Sequence, residues 1–529
     1  MFTITLNNQS LNYDHPITAS TLIANDKSVY GIIFNQKVYG IDHIINEDGN
    51  LSFIHAQDTD GKLIYTRTLD FILIHAVKTI FNKDVRIMHS IAHGQYITIN
   101  DHFVKAEDIA LLDAYIQELI TKKVPILHHL VTREEASQFF HDKGMIDTAM
   151  LIAKRESAKC SIYQLENSYG YFYGVLLPNT AYIDHYQLKQ YDGGIWLSIN
   201  DTPFKPQDKL LSIFKRFEKQ AFDQQVANIP DINKIIENNQ YATLVMQDEK
   251  RLKDDVSDMI DLFLADKTKR VILMSGPSSS GKTTLTKNIQ QQLLHHGHDT
   301  LALSLDDFFL ERDQTPLLPD GSYDFENITC IDLNLFNDCI NSLLNGKAYH
   351  LPIFDFIKGQ KIFAKEAITL HPDQILLIEG LHALNPKTSQ HIPSKYIFKV
   401  YINALTHLNL DNHNYISTSD YRMIRRMTRD IQYRNQSIQD TIRQWPKVKD
   451  GENKYIYPYQ EDANYIINTS MCYEMPIFRK VLIPLLLEVD KKSPEYITAQ
   501  RIKRILSFFC PGEPSIIPDD SILKEFIGF

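Results

Sequence analysis

The residues best suited to chemistry form one short run, Gly276-Pro277-Ser278-Ser279-Ser280-Gly281-Lys282-Thr283-Thr284. The spacing is G-x-x-x-x-G-K-T, and each fixed position has a physical task. Gly276 and Gly281 allow backbone angles and close approaches that a side chain blocks. The loop's N–H groups, with the N-terminus of a following helix, then face phosphate oxygens. Lys282 brings positive charge to the β- and γ-phosphates, and the Thr283 hydroxyl can ligate Mg²⁺. An apolar strand, Val271-Ile-Leu-Met-Ser275, precedes the run, and an amphipathic helix over residues 285–295 follows it. A chance Gly/Ser turn explains the glycines but not this context. The loop predicts binding of a nucleoside triphosphate. It does not choose among ATPases, GTPases and small-molecule kinases, which all use it.

Three further groups bear on that choice. The next strand, Thr300-Leu-Ala-Leu-Ser-Leu305, ends on Asp306-Asp307-Phe308-Phe309. In a doubly wound sheet, ligands bind beyond the carboxyl ends of the strands. A carboxylate there accepts the proton of an attacking hydroxyl or holds the metal; an Asp capping the next turn is the rival reading. Ile375-Leu-Leu-Ile378 reads as a buried strand ending in Glu379-Gly380, where an acid suits Mg²⁺ through water. Residues 420–434 carry Arg422, Arg425, Arg426, Arg429 and Arg434. On a helix the first four share a face. A mobile lid that neutralises charge during transfer is favoured over a solvated charged face.

These groups need a scaffold. From Arg270 onward the chain alternates strand, turn and helix, the pattern of an α/β doubly wound parallel sheet. The front half reads differently. Phe2-Thr-Ile-Thr-Leu6 alternates with period two, and residues 29–34 and 51–54 are further strands of a small β-rich module. An α+β module follows, with helices expected over residues 71–81, 109–121 and 133–143 and strands over 169–173 and 194–198. Thr132 and Glu135 form a capping-box pattern. The charged stretch at 247–258 is expected to be a solvated connecting helix.

The bulk numbers bound the reading. A length of 529 residues, at about 150 per domain, suggests about three domains. A formal net charge of −10 argues against a general nucleic-acid footprint. The five cysteines are scattered, with no C-x-x-C pair, which fits reduced thiols rather than disulfides or zinc. There is neither a signal-peptide pattern at the start nor an apolar run of membrane-spanning length, so a cytoplasmic protein with no membrane partner is expected.

Taken in order, residues 276–284, Ser304-Leu-Asp-Asp-Phe-Phe309, Tyr323-Asp-Phe-Glu-Asn327, Pro352-Ile-Phe-Asp-Phe356, Ile378-Glu-Gly-Leu-His-Ala-Leu384 and residues 422–434 resemble the uridine kinase and phosphoribulokinase family. The resemblance implies transfer of phosphate from ATP, with Mg²⁺, to the sugar hydroxyl of a uridine- or cytidine-like nucleoside. It also implies roles. Asp306 is the base on the acceptor hydroxyl, and Glu379 holds magnesium indirectly. Glu326 reaches the ribose hydroxyls. Arg426, Arg429 and Arg434 are lid residues, and Gln444 contacts the nucleoside. There are departures too. Phe354 and Gly359 stand where animal-type uridine kinases place an aromatic hydroxyl and a histidine against the base. Phe309 replaces a tyrosine and Gln436 an arginine. The resemblance thus implies phosphoryl transfer and leaves base recognition open, with a sugar phosphate or pantothenate-like acid as the alternative acceptor.

Residues 1–62 resemble a TGS domain, a β-grasp module. Residues 63–222 resemble the second accessory domain of threonyl-tRNA synthetases, with His89-Ser-Ile-Ala-His-Gly94 and Tyr96 as the telling stretch. A helical linker, 223–265, then leads to a kinase-like domain, 266–529. The combination is similar to a group of bacterial and protist proteins described as nucleoside or uridine kinases. In the synthetase, a His-x-x-x-His and a Cys-x-x-x-His pair edit mischarged tRNA. The corresponding positions here read Phe71 to His75 and Gly174 to Pro178. The resemblance therefore implies neither zinc nor editing, and His75 is expected to be a packed core histidine. An RNA- or ribosome-linked ATP-binding regulator is the alternative from another class. The acidic charge and the intact acceptor side argue against it, while the front half leaves room for a nucleic-acid partner. A homo-oligomer is compatible with either reading.

Overall fold

The alternation that opens the chain builds what its period requires. In the computed structural model, which describes residues 1–23 and 26–528, the strand Phe2–Leu6 buries Phe2 and Ile4. It pairs antiparallel with Gln9–Tyr13 and parallel with Gly49–His55 in a five-stranded sheet. The two-residue turns Asn7-Asn8 and Asn35-Gln36 have positive φ throughout, the geometry a tight hairpin demands.

The helix Thr59–Phe81 starts well before residue 71 and carries the chain across residue 62 into the second module. Its residues 71–77 are buried without interruption. A helix apolar all round has little periodicity by which to mark its start. The capping box is present: Glu135 N–H donates to Thr132 Oγ1 at 3.2 Å, and Thr132 N–H to Glu135 Oε2 at 2.9 Å. The strand expected over 169–173 stops at Gly170. His75 is buried, with its ring 2.8 Å from Ser168 Oγ and 3.2 Å from Glu166 Oε2.

The charged stretch at 247–258 is not a solvated connector. It belongs to the helix Tyr241–Ala265, whose Val256, Met259, Ile260 and Phe263 enter the core beside Phe398. Three of its acids are buried, each with a partner. Asp248 accepts from the Cys472 N–H at 2.5 Å, Glu249 from the Tyr473 hydroxyl, and Asp255 from Arg216 at 2.7 Å. Pairing is what lets a charge leave water.

Beyond this helix the strand–turn–helix alternation gives five parallel strands: β1 (Val271–Ser275), β2 (Thr300–Ser304), β3 (Ile375–Glu379), β4 (Ile397–Asn403) and β5 (Tyr465–Asn468). Their order is β2-β3-β1-β4-β5. The helices used below are α1 (Lys282–His295), α2 (Thr418–Arg434), α3 (Ile438–Tyr455) and the short α4 (Lys524–Ile527). Strand β1 sends Val271 and Leu273 into one core and Ile272 and Met274 into the other, so both faces of the sheet are covered.

Neither core stops at residue 266. One takes in Phe140 and Ile152, and the other Tyr96, Trp196 and Phe214. Arg86 stitches the halves together, donating to Asn412 Oδ1 at 2.6 Å and to Asn228 Oδ1 at 2.9 Å. The five cysteines are unpaired, and among the described residues no helix is long and apolar enough to cross a membrane.

Candidate active site

Strand register explains why the site residues meet. Ser304 of β2 pairs with Glu379 of β3, and Glu379 pairs with Met274 of β1. Asp306, Glu379 and the loop after Ser275 therefore leave the sheet at one level, its carboxyl edge.

The loop is tightly built. A Cβ on Gly276 would stand 2.0 Å from the Ile402 carbonyl oxygen, and Gly281 has φ 85°. The Ser279 and Ser280 hydroxyls are buried without hydrogen-bond partners among the described residues, and Thr283 is exposed. With a helix N-terminus behind them, these unspent groups fit a polyanion. The Lys282 ammonium donates to the carbonyls of Gly276 at 2.8 Å and Pro277 at 3.2 Å. Burial holds it below the ordinary lysine range, against the pull of Glu379 and Asp306.

Asp306 stands in a single turn after β2, where its N–H donates to Ser304 Oγ at 3.3 Å. Ser304 in turn donates to Glu379 Oε1 at 2.8 Å. Burial raises both carboxyls. Lys282 opposes this at each, while Asp307 adds to the rise at Asp306, and Asp306 to that at Glu379. These hard oxygen donors, with the Thr283 hydroxyl, fit Mg²⁺. The neighbouring Asp307 is spent on structure, accepting from the Phe354 N–H at 3.2 Å. The Asp306 carboxylate has no hydrogen-bond partner among the described residues.

On the acceptor side, Glu326 packs against Gly451 of α3. Its carboxyl is pushed up to about 7, first by burial and then by Glu452, against Arg426 and Lys282. Phe354 is buried, its ring 5.7 Å from that of Phe309 and 5.1 Å from that of Phe356. Phe325 closes the cluster at 6.2 Å from Phe309.

The arginine helix corrects one expectation. The four residues do share a face, but three of them are packed on the loop, so the face as a whole is not the mobile lid expected. Arg422 and Arg425 are fully buried. Arg422 grips both oxygens of Glu452 at 2.6 Å and donates to the Ser278 carbonyl at 3.0 Å. Arg425 grips Glu474 and reaches the Ser279 carbonyl at 3.4 Å. These two are buttresses, not parts of a lid. Arg426 donates to Ser278 Oγ at 3.0 Å and to Gln444 Oε1 at 3.4 Å. Arg429 is held down to about 10 by burial and by Arg434. Arg434 is half-exposed and 3.3 Å from Asp430.

Sequence reasoning missed Glu452, which accepts the Ser278 N–H at 2.9 Å. That donor is therefore committed within the protein. The Thr284 N–H and hydroxyl both donate to Glu525. Neither acid had a local signal, since each finds the loop only through the tertiary fold.

Comparison with known proteins agrees with this geometry. Residues 271–475 match the Phosphoribulokinase / Uridine kinase family model, so this region is a domain of that family. The uridine kinase of Staphylococcus haemolyticus is 26% identical over 198 residues, 37% of this chain and 86% of that protein. The uridine kinase of Saccharomyces cerevisiae is 26% identical over 238 residues, covering 44% of this chain and 42% of that protein. Among solved structures, a possible uridine kinase from Bacillus stearothermophilus is 17% identical with a TM-score of 0.30, covering 41% of this chain and 100% of that one.

Proposed function

We propose that the phosphoribulokinase/uridine kinase family domain at residues 271–475 makes this chain an ATP-dependent phosphotransferase acting on the sugar hydroxyl of a nucleoside. The observation that carries the reading is a complete phosphate loop and an unpaired, burial-raised Asp306 at one sheet edge.

Lys282, Arg426 and Arg429 neutralise charge on the transferring phosphoryl group. Thr283 and, indirectly, Glu379 are the residues that would hold Mg²⁺, which would supply positive charge at the phosphate oxygens. Asp306 takes the proton as the acceptor oxygen bonds to the γ-phosphorus and the bridge to ADP breaks. A carboxyl raised above its ordinary range is a better base near neutral pH. Glu326 accepts from other hydroxyls of the acceptor, and Gln444, braced by Arg426, lines the same side.

The wall of Phe309, Phe325, Phe354 and Phe356 offers stacking and no side-chain hydrogen bond. That keeps a sugar phosphate or pantothenate-like alcohol as the second reading. We assign the TGS-like and synthetase-like modules a scaffolding role, supported by the shared cores. The test is ADP release against a panel of nucleosides, sugar phosphates and pantothenate. A nucleoside is expected to give the highest kcat/KM, and Lys282→Ala to lower turnover at least ~10²-fold. Turnover untouched by that substitution refutes the assignment.

A further inference from the structure

The loop already holds an anion that belongs to the chain. Residues 521–528 lie beyond the segment that matches the family model, yet they pack on the phosphate loop. The Ile522 side chain covers Gly281: a Cβ on that glycine would stand 2.3 Å from Ile522 Cδ1. Three residues on, Glu525 Oε2 accepts from Thr284 N–H at 3.3 Å and from Thr284 Oγ1 at 3.0 Å. The other carboxylate oxygen lies 3.8 Å from Arg429 Nη1. Ile522, Leu523, Phe526 and Ile527 around it are fully buried, so the segment is firmly seated.

The donors that Glu525 occupies are an N–H and a hydroxyl in the first turn of α1, directly after Lys282 and Thr283. Such donors serve phosphate oxygens. One N–H does not serve two anions fully, and a carboxylate beside a phosphate repels it. Resting on the reading of the loop as a nucleoside triphosphate site, we infer that Glu525 is an internal competitor for the nucleotide's phosphates. Without nucleotide it caps Thr284. With nucleotide bound, its carboxylate gives up Thr284 and turns to the solvent that its partial exposure already admits.

Glu452 shows why the movable group is Glu525. Glu452 also accepts a loop N–H, from Ser278, but both its oxygens are gripped by Arg422, Tyr457 adds a third bond, and its side chain has no exposure. Besides Thr284, the one ion-pair partner of Glu525 among the described residues is Arg429 at 3.8 Å, and Glu525 keeps 15% exposure. The carboxylate can therefore change partner without unseating the apolar residues beside it. The loop's affinity for phosphates is then set below what its donors alone would give.

The test uses the full chain and calorimetric binding of ADP, ATP and adenosine to the wild type and Glu525→Gln. A charge-assisted bond is roughly twice as strong as a neutral one, so the variant is expected to bind ADP and ATP about tenfold tighter, with adenosine unchanged. Equal or weaker ADP binding by the variant overturns the inference. A second variant separates charge from shape: Glu525→Ala, which also removes the carboxylate, should tighten ADP binding as Glu525→Gln does. Equal or weaker ADP binding by that variant also overturns it. The two levels of failure are distinguishable. If neither protein binds ADP at millimolar concentration, the nucleotide site itself is refuted. Tight binding indifferent to Glu525 removes only the competitor.

Discussion

Replacing Glu326 with glutamine should make both stability and acceptor affinity lose a pH dependence. The Glu326 carboxyl sits at about 7 against an ordinary 4.5, mainly because it is buried and faces Glu452. A shift of that size costs about 3 kcal/mol when the group ionises. The sign follows from proton counting. Between about 4.5 and 7 the folded protein binds more protons at this site than the unfolded chain, so its stability falls as pH rises through that window. Glutamine cannot ionise and escapes the penalty. The variant's melting temperature relative to wild type should therefore rise from pH 4.5 to pH 8. With about 2.1 cal/mol/K of unfolding entropy per residue, 3 kcal/mol is about 3 °C if this chain of 529 residues unfolds cooperatively. Differential scanning calorimetry across that range measures it. As a carboxylate, Glu326 accepts from the acceptor, so KM for the acceptor should fall as pH rises through about 7 in the wild type but not in the variant. A melting difference flat with pH, or the same KM inflection in both proteins, refutes the reasoning.

Other perturbations separate roles. Asp306→Asn should lower kcat by roughly 10²–10⁴-fold and leave ATP binding intact; a loss confined to ATP affinity would make Asp306 a metal or structural residue. Glu452→Ala strands the fully buried Arg422 and should cost about 3–5 kcal/mol, seen as a lower melting temperature that Arg422→Met partly restores; a wild-type melt for the single variant contradicts the clamp. Thr469→Val removes the 2.6 Å bond to the Ser280 carbonyl and should weaken ADP binding by roughly 5–10-fold, with little change in melting; unchanged affinity would mean the loop does not need that brace. On the proposed synthetase resemblance, Phe71, Gly174 and Pro178 stand in for the paired side chains, so the full chain should not deacylate seryl-tRNA of the threonine acceptor; deacylation lost on His75→Ala would reverse that reading.

How far the sequence could be read depended on how local each signal is. The phosphate loop, β2 running into Asp306 and β3 running into Glu379 are short-range patterns, and the structure brings them together through strand register. The arginine helix is legible in its geometry, while the packing that immobilises Arg422 and Arg425 of the expected lid is not. Spacing puts Arg422, Arg425, Arg426 and Arg429 on one face, but whether a face meets water or carboxylates is decided by Glu452 and Glu474, residues 30 and 49 positions away from their partners. The same limit applies to the stretch at 247–258. Its acids looked solvated because Cys472, Tyr473 and Arg216 are distant in sequence.

The buried ion pairs beneath the loop have a mechanical consequence. Two charges taken out of water are an expensive way to gain stability, and apolar packing would serve a plain core as well. Here the pairs hold peptide groups. Arg422 fixes the Ser278 carbonyl, and Thr469, itself held by Arg425, fixes the Ser280 carbonyl. In a trans peptide, C=O and N–H point in opposite directions. Drawing those two carbonyls toward α2 and the turn after β5 therefore turns the Ser279 and Gly281 N–H groups the other way, to the side proposed for the phosphates. The donors are aimed before the ligand arrives, and no reorganisation is needed when charge develops on the phosphoryl group. On the proposed function the arginines need not all touch the nucleotide to act on it: Arg422 and Arg425 brace loop carbonyls, and Arg426, Arg429 and Arg434 are the ones we assign to the phosphates.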